Sequence, residues 1–210
     1  MVTISDVSIC NQALIALGGT TITSLEERTK NARICNATYE QTRNNVLTDH
    51  IWTFAQKRAE LTDLDEEPEW TDDLMTVTYE KPDDCLKINF VNIQSAIVKI
   101  EGDEILSNVS GLKVKYTYEV TDPTTFFPKF VEALVARLAA EMAYAVTSSR
   151  SLADSLFTIY YEKKLPRAIS ADSQQGTPQG VAQDDILASR ISGGGSLIGR
   201  AGFETWYPCY

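Results

Sequence analysis

Residues 130–146, FVEALVARLAAEMAYAV, limit what this chain can fold into more than any other stretch. Phe127, Phe130, Leu134, Leu138, Met142 and Val146 recur every three or four positions, which places them along one side of an α-helix. The remaining positions are crowded with Ala133, Ala136, Ala139, Ala140, Ala143 and Ala145, small enough for neighbouring helix axes to approach closely. Such a helix belongs at the centre of a bundle, with Leu134, Leu138 and Met142 in its core. Just upstream, in TDPTTFFPKF, Asp122 and Thr125 are candidate caps. Pro123 or Pro128 fits only a first helical turn, so the helix is expected to begin between 124 and 128.

The N-terminal third supplies partners for it. Ser5 is a good N-cap, flanked by Ile4 and Ile9 in the arrangement of a hydrophobic staple, and Ile9, Ala13, Ala16 and Leu17 form a one-sided stripe. Gly18-Gly19 then provides a left-handed stop. SLEE at 24–27 reads as a capping box, in which Glu27 reaches back to the Ser24 N–H, and a second helix is expected to follow. Its seam is Ala32, Cys35, Tyr39, Thr42 and Val46, ending near Asp49 or His50. A last helix, LADSLFTIYYEKKL, carries Leu152, Leu156, Ile159 and Tyr160 on its apolar side, and Pro166 is expected to kink or end it.

From Trp52 the pattern changes from helical spacing to alternation. LMTVTYEKP, CLKINFV, AIVKI, EILS and LKVKYTYEV are rich in Val, Ile, Thr and Tyr, with a Gly-containing hairpin turn at EGD and another turn at NVSG. The expected fold class is therefore mainly α: a helical bundle from 1–51 and 121–172, an inserted antiparallel β extension at 52–120, and a long flexible C-terminal arm. That arm, 173–210, is dominated by Gly, Ser, Gln and Asp, the composition of a linker.

Composition excludes more than it assigns. No run of about 18 apolar residues occurs and the N-terminus lacks the basic flank and apolar stretch of a signal peptide, so neither a membrane nor secretion is expected and a reducing cytoplasm is the expected site of synthesis. Cys10, Cys35, Cys85 and Cys209 form no CxxC pair, and a single histidine, His50, cannot build a His-rich metal site. The acidic pairs Asp72-Asp73, Asp83-Asp84 and Asp184-Asp185 fall in turn or linker contexts. Tyr116 and Tyr118 share one strand face, where packing accounts for them better than base stacking does. No catalytic residue, cofactor or metal is therefore assigned, and an enzyme is not expected. A formal charge of −10 argues against a nucleic-acid grip, although an acidic wall suits a passage through which DNA slides without sticking.

The C-terminus, SGGGSLIGRAGFETWYPCY, holds Arg200, Phe203, Trp206, Tyr207 and Tyr210 beyond Gly193, Gly194 and Gly195. Aromatic residues on a glycine hinge read as anchors for a partner, or as side chains that fold back on the subunit itself.

Several blocks together resemble a known family: NQALIALGGTTITSLEERTKNARICNATYEQTRNNVLTDHIWTFAQKRAEL, then YEKPDDCLKI, then VTDPTTFFPKFVEALVARLAAEMAYAVTSSRSLADSL and YEKKLPRAISADSQQG. In this order, over roughly residues 10–176, the chain resembles the head-to-tail adaptors of short-tailed bacteriophages, the tail tubular protein A type. The resemblance implies a structural virion protein that forms a homo-oligomeric ring, a dodecamer in that family. Such a ring lies between the portal protein and the tail nozzle or tubular protein and continues the DNA channel without specific DNA binding. It also implies that the C-terminal segment reaches the portal, which would make Gly193, Gly194 and Gly195 the arm hinge and Arg200, Phe203, Trp206, Tyr207 and Tyr210 the docking residues. Other readings stand beside it: another neck component such as a stopper or tail terminator, or a cytoplasmic enzyme or nucleic-acid-binding module.

Overall fold

Helix α1, Asp6–Ala16, starts where the Ser5 side chain accepts from the Ser8 N–H while Ser8 returns the bond to Ser5, a reciprocal box set one residue before the buried Ile9. It ends in a Schellman motif: the Gly19 N–H bonds Leu14 O at 2.8 Å and the Gly18 N–H bonds Ile15 O at 3.0 Å. Gly18 at φ 72° takes the left-handed conformation that closes the motif. The computed structural model describes residues 4–64 and 75–175, together with the backbone of 207–208. Cys10 and Leu14 are buried beside Ile9, Ala13 and Leu17, whereas Ala16 faces outward, which corrects the expected stripe by one position.

The SLEE segment does not start a helix. Its Glu27 carboxylate accepts from the Thr23 N–H and hydroxyl, while Ser24 accepts from the Glu26 N–H, so the motif tightens a turn. Helix α2, Lys30–Asp49, begins instead at the Thr29 cap. Asn11 on α1 holds the intervening loop by donating to Ile22 O at 2.9 Å and accepting from the Ile22 N–H at 2.8 Å. Ala32, Cys35, Tyr39, Thr42 and Val46 are all buried, as their spacing predicts.

Helix α3, Pro128–Thr147, has proline at its first turn and lies against both α1 and α2. Leu134, Leu138, Met142, Ala133 and Ala143 have no exposed surface. After the αL residue Ser148, α4, Arg150–Ile159, runs back along α3. Pro166 does not end this helix. The backbone widens into a π turn at Tyr160–Lys164, where the Leu165 N–H bonds Tyr160 O, and continues as α5, Leu165–Ser173. The widened turn lies immediately before Pro166, which has no backbone N–H to donate.

Between α2 and α3 the described residues form six strands: β1 Gln56–Glu60, β2 Val77–Glu80, β3 Cys85–Val91, β4 Val98–Glu101, β5 Glu104–Ser107 and β6 Lys113–Tyr118. A two-residue segment near the C-terminus, β7 Tyr207–Pro208, adds to β3. All pairings are antiparallel, in two sheets ordered β1-β6-β3-β7 and β2-β5-β4. Gly102, at φ 65°, occupies the first central position of the β4–β5 hairpin, where only glycine turns cheaply.

The chain is therefore not mainly α. Of the described residues about 50% are helical and 19% are strand, an α and β mixture. The periodicity located β2 to β6 but named neither β1 nor β7 as a strand, and it undervalued them all, because it carries no information about what a strand face packs on. Tyr79 and Ile105 from one sheet meet Ile88, Val91, Val114 and Tyr116 from the other, enclosing a second hydrophobic core distinct from that of the helices. A region with its own core is more than an extension.

Candidate functional site

The two cores meet at the base of the first sheet. Strand β1 enters beside β6, by which the chain leaves, with Gln56 opposite Thr117, so the β region hangs from two adjacent strands. At the exit the Glu119 carboxylate takes a charge-assisted bond from Arg43 on α2 and a second from Asn44 Nδ2 at 3.0 Å, while Arg43 Nε donates to Asn44 Oδ1 at 3.2 Å. The Arg43 side chain is only 7% exposed and that of Glu119 29%. Tyr118 packs against both cores, and Leu86 of β3 lies against the helical one.

Asp84 completes the base. It accepts from Lys57 Nζ at 2.5 Å and from the Tyr116 hydroxyl at 2.9 Å, and Lys57 also lies 4.0 Å above the Tyr118 ring. Burial works to raise the Asp84 carboxyl, but the bonds from Lys57 and Tyr116 and the Lys57 charge outweigh it and hold the group below its ordinary range. The two strand tyrosines are occupied by packing and by these polar contacts, which leaves them no open stacking platform.

Beneath the sheets lies an aromatic knot. Trp52, fully buried, donates from Nε1 to Val46 O at 2.8 Å and meets Phe130 edge-on at 5.1 Å between ring centroids. Phe54 contacts Phe126, Phe127 and Phe130 in T-shaped geometry. His50 packs edge-on against Trp52, with Nε2 3.7 Å from Asp172. Burial lowers its pKa from 6.5, against the opposing pull of Asp172. Asp172 itself is 3% exposed and accepts from both the backbone N–H and the hydroxyl of Thr53. The last turn of α5 is thereby pinned to the chain entering β1.

The outer helical layer is less finished. Helix α4 has no fully buried residue, although Leu152 and Leu156 lie against the core. Tyr160 is buried and donates to Asp49 at 2.6 Å. Beside it Arg137 lies over the rings of Phe157, Tyr160 and Tyr161, bonds the Tyr161 hydroxyl and pairs with Glu141 at 3.0 Å. Apolar surface nonetheless remains open on this side: Ile159 is 37% and Tyr161 50% exposed.

Of the residues singled out from sequence, Leu134, Leu138 and Met142 are brought together in the helical core, with Met142 Sδ 3.6 Å from Cys35 Sγ. Cys10, Cys35 and Cys85 are buried and free, and burial pushes the Cys85 thiol up to about 11. Tyr207 is placed by its backbone opposite Val91. Gly193, Gly194, Gly195, Arg200, Phe203, Trp206, Tyr210, Cys209 and the pairs Asp72-Asp73 and Asp184-Asp185 lie outside the described residues. Among the described residues no three His, Cys, Asp or Glu side chains form a metal-sized group, and no helix is long and apolar enough to cross a membrane. Sequence reasoning missed Arg43, Glu119 and Asp172. Arg43 sits one position from the buried seam of α2, which was the available signal. Compared with protein-family models and with curated proteins, the chain matches none.

Proposed function

We propose that the chain is a structural head-to-tail adaptor of a short-tailed phage virion. It assembles as a ring, a dodecamer by family resemblance, between portal and tail nozzle or tubular protein. The order of sequence blocks suggests the class. The observation that carries the reading furthest is the unfinished outer layer, where Ile159 at the end of α4 and Tyr161 in the π turn that follows remain open. A ring neighbour would cover that surface.

The other features agree with assembly work. The Arg43–Glu119 clasp ties the helices to the exit of the sheet, a link between the regions that assembly work can use. The acidic excess, repeated around a ring, would keep DNA moving through the channel. In this reading the C-terminal residues Arg200, Phe203, Trp206, Tyr207 and Tyr210 dock the portal. Size-exclusion chromatography with light scattering, with and without portal, tests it. Rings or a portal complex are expected; a monomer that ignores portal yet shifts DNA at physiological salt would reject the adaptor.

A further inference from the structure

Strand β3 is paired with β6 along its length, and among the described residues its opposite edge is paired only at Phe90 and Val91. The cover is β7, in antiparallel register, with Val91 opposite Tyr207 and Phe90 opposite Pro208. We infer that the Phe90–Val91 edge of β3 is a strand-acceptor site, and that its occupant is the C-terminal segment of the same chain, held in cis.

Three observations carry this. An open strand edge offers unpaired N–H and C=O groups and takes up extended peptide by β-augmentation, the backbone bonds supplying affinity. The segment suits the role: ETWYPCY, residues 204–210, is rich in aromatic strand formers, and Pro208, which has no N–H, makes β7 a strand on which little further pairing can build. Finally, residues 176–206 give a contour length on the order of 100 Å, enough to bring the segment back to β3 from the end of α5. A two-residue pairing is short, so the segment is exchangeable, and any partner for the C-terminus must first draw it from this edge. The inference does not rest on the adaptor reading.

The test uses the full chain, a variant ending at residue 205, and a synthetic ETWYPCY peptide carrying Cys209→Ser. Amide hydrogen exchange is expected to be at least tenfold slower at Phe90–Val91 in the full chain than in the shortened one, independently of protein concentration, with unchanged melting. Added peptide should restore that protection to the shortened chain, and bind the full chain at least tenfold more weakly. Tyr207→Pro in the full chain removes a further backbone donor without touching β3, and should speed exchange as truncation does. Equal exchange in full and shortened chains, or peptide that does not bind the shortened one, would overturn the site. Protection that grows with protein concentration would overturn the cis occupant in favour of a second copy.

Discussion

The helical and β regions differ in where along the chain their contacts come from. Among the described residues every strand but β7 arises from residues 56–118, and the second core is built from that one stretch. The helical core is discontinuous: α1 and α2 must wait for α3, which follows the whole β region. Each helix carries its own hydrogen bonds and caps, but its buried face is completed only when the distant partner arrives. The β region solves the closure problem by pairing its first and last strands, Gln56 against Thr117, which returns the chain to α2 where it left. An insertion that folds on itself thus shortens the effective loop inside the other domain.

The sharpest way to break this arrangement is at its centre. Trp52→Ala empties the aromatic knot beneath both regions and is expected to cost about 3–5 kcal/mol, read by denaturant unfolding. A cost below about 1 kcal/mol would show that Phe54 and Phe130 hold the junction without it.

Leu138→Ala and Ile105→Ala compare the two cores directly. Each removes a fully buried side chain, and each is expected to cost about 2–5 kcal/mol. Because Tyr118 and the Arg43–Glu119 clasp tie the cores, both variants should lower the midpoint of one shared transition. Two separated transitions in calorimetry would instead make the regions independent. Glu119→Gln tests the clasp itself: it keeps the shape but removes the charge facing Arg43, with an expected loss of about 1–3 kcal/mol. Splitting of the transition in this variant alone would assign the coupling to the ion pair.

The smallest effect is a pH dependence. His50 has a folded pKa lowered from 6.5, so the unfolded chain takes up its proton first. The associated stability is fully present above 6.5 and is lost as pH falls through the lower folded value. His50→Gln should flatten the melting temperature between about pH 7 and pH 5. An unchanged slope would place the titration elsewhere.

Local signals were legible where the chemistry is local. Ser5, Gly18 and Pro128 act as their positions along the chain suggest, and the seam of α2 is buried residue for residue. SLEE misled because a capping box and a tight turn use the same side-chain-to-backbone bonds; only the following geometry separates them. Pro166 misled less: the helix bends its hydrogen-bond pattern rather than stopping, since Tyr160 is anchored to Asp49 and Asp172 to Thr53 on either side of it. Asp172, in a polar stretch, gave no sign that it would be buried.

By itself the sequence determined where α1, α3 and the seam of α2 lie, the strands β2 to β6, the core positions of α3, and the acidic balance, because spacing and charge are properties of a linear chain. Tertiary structure alone decided that the strands enclose a second core, that Arg43 meets Glu119, and that Tyr207 lies opposite Val91. These are contacts between residues far apart in sequence, and only the closed backbone brings such pairs within reach of a hydrogen bond.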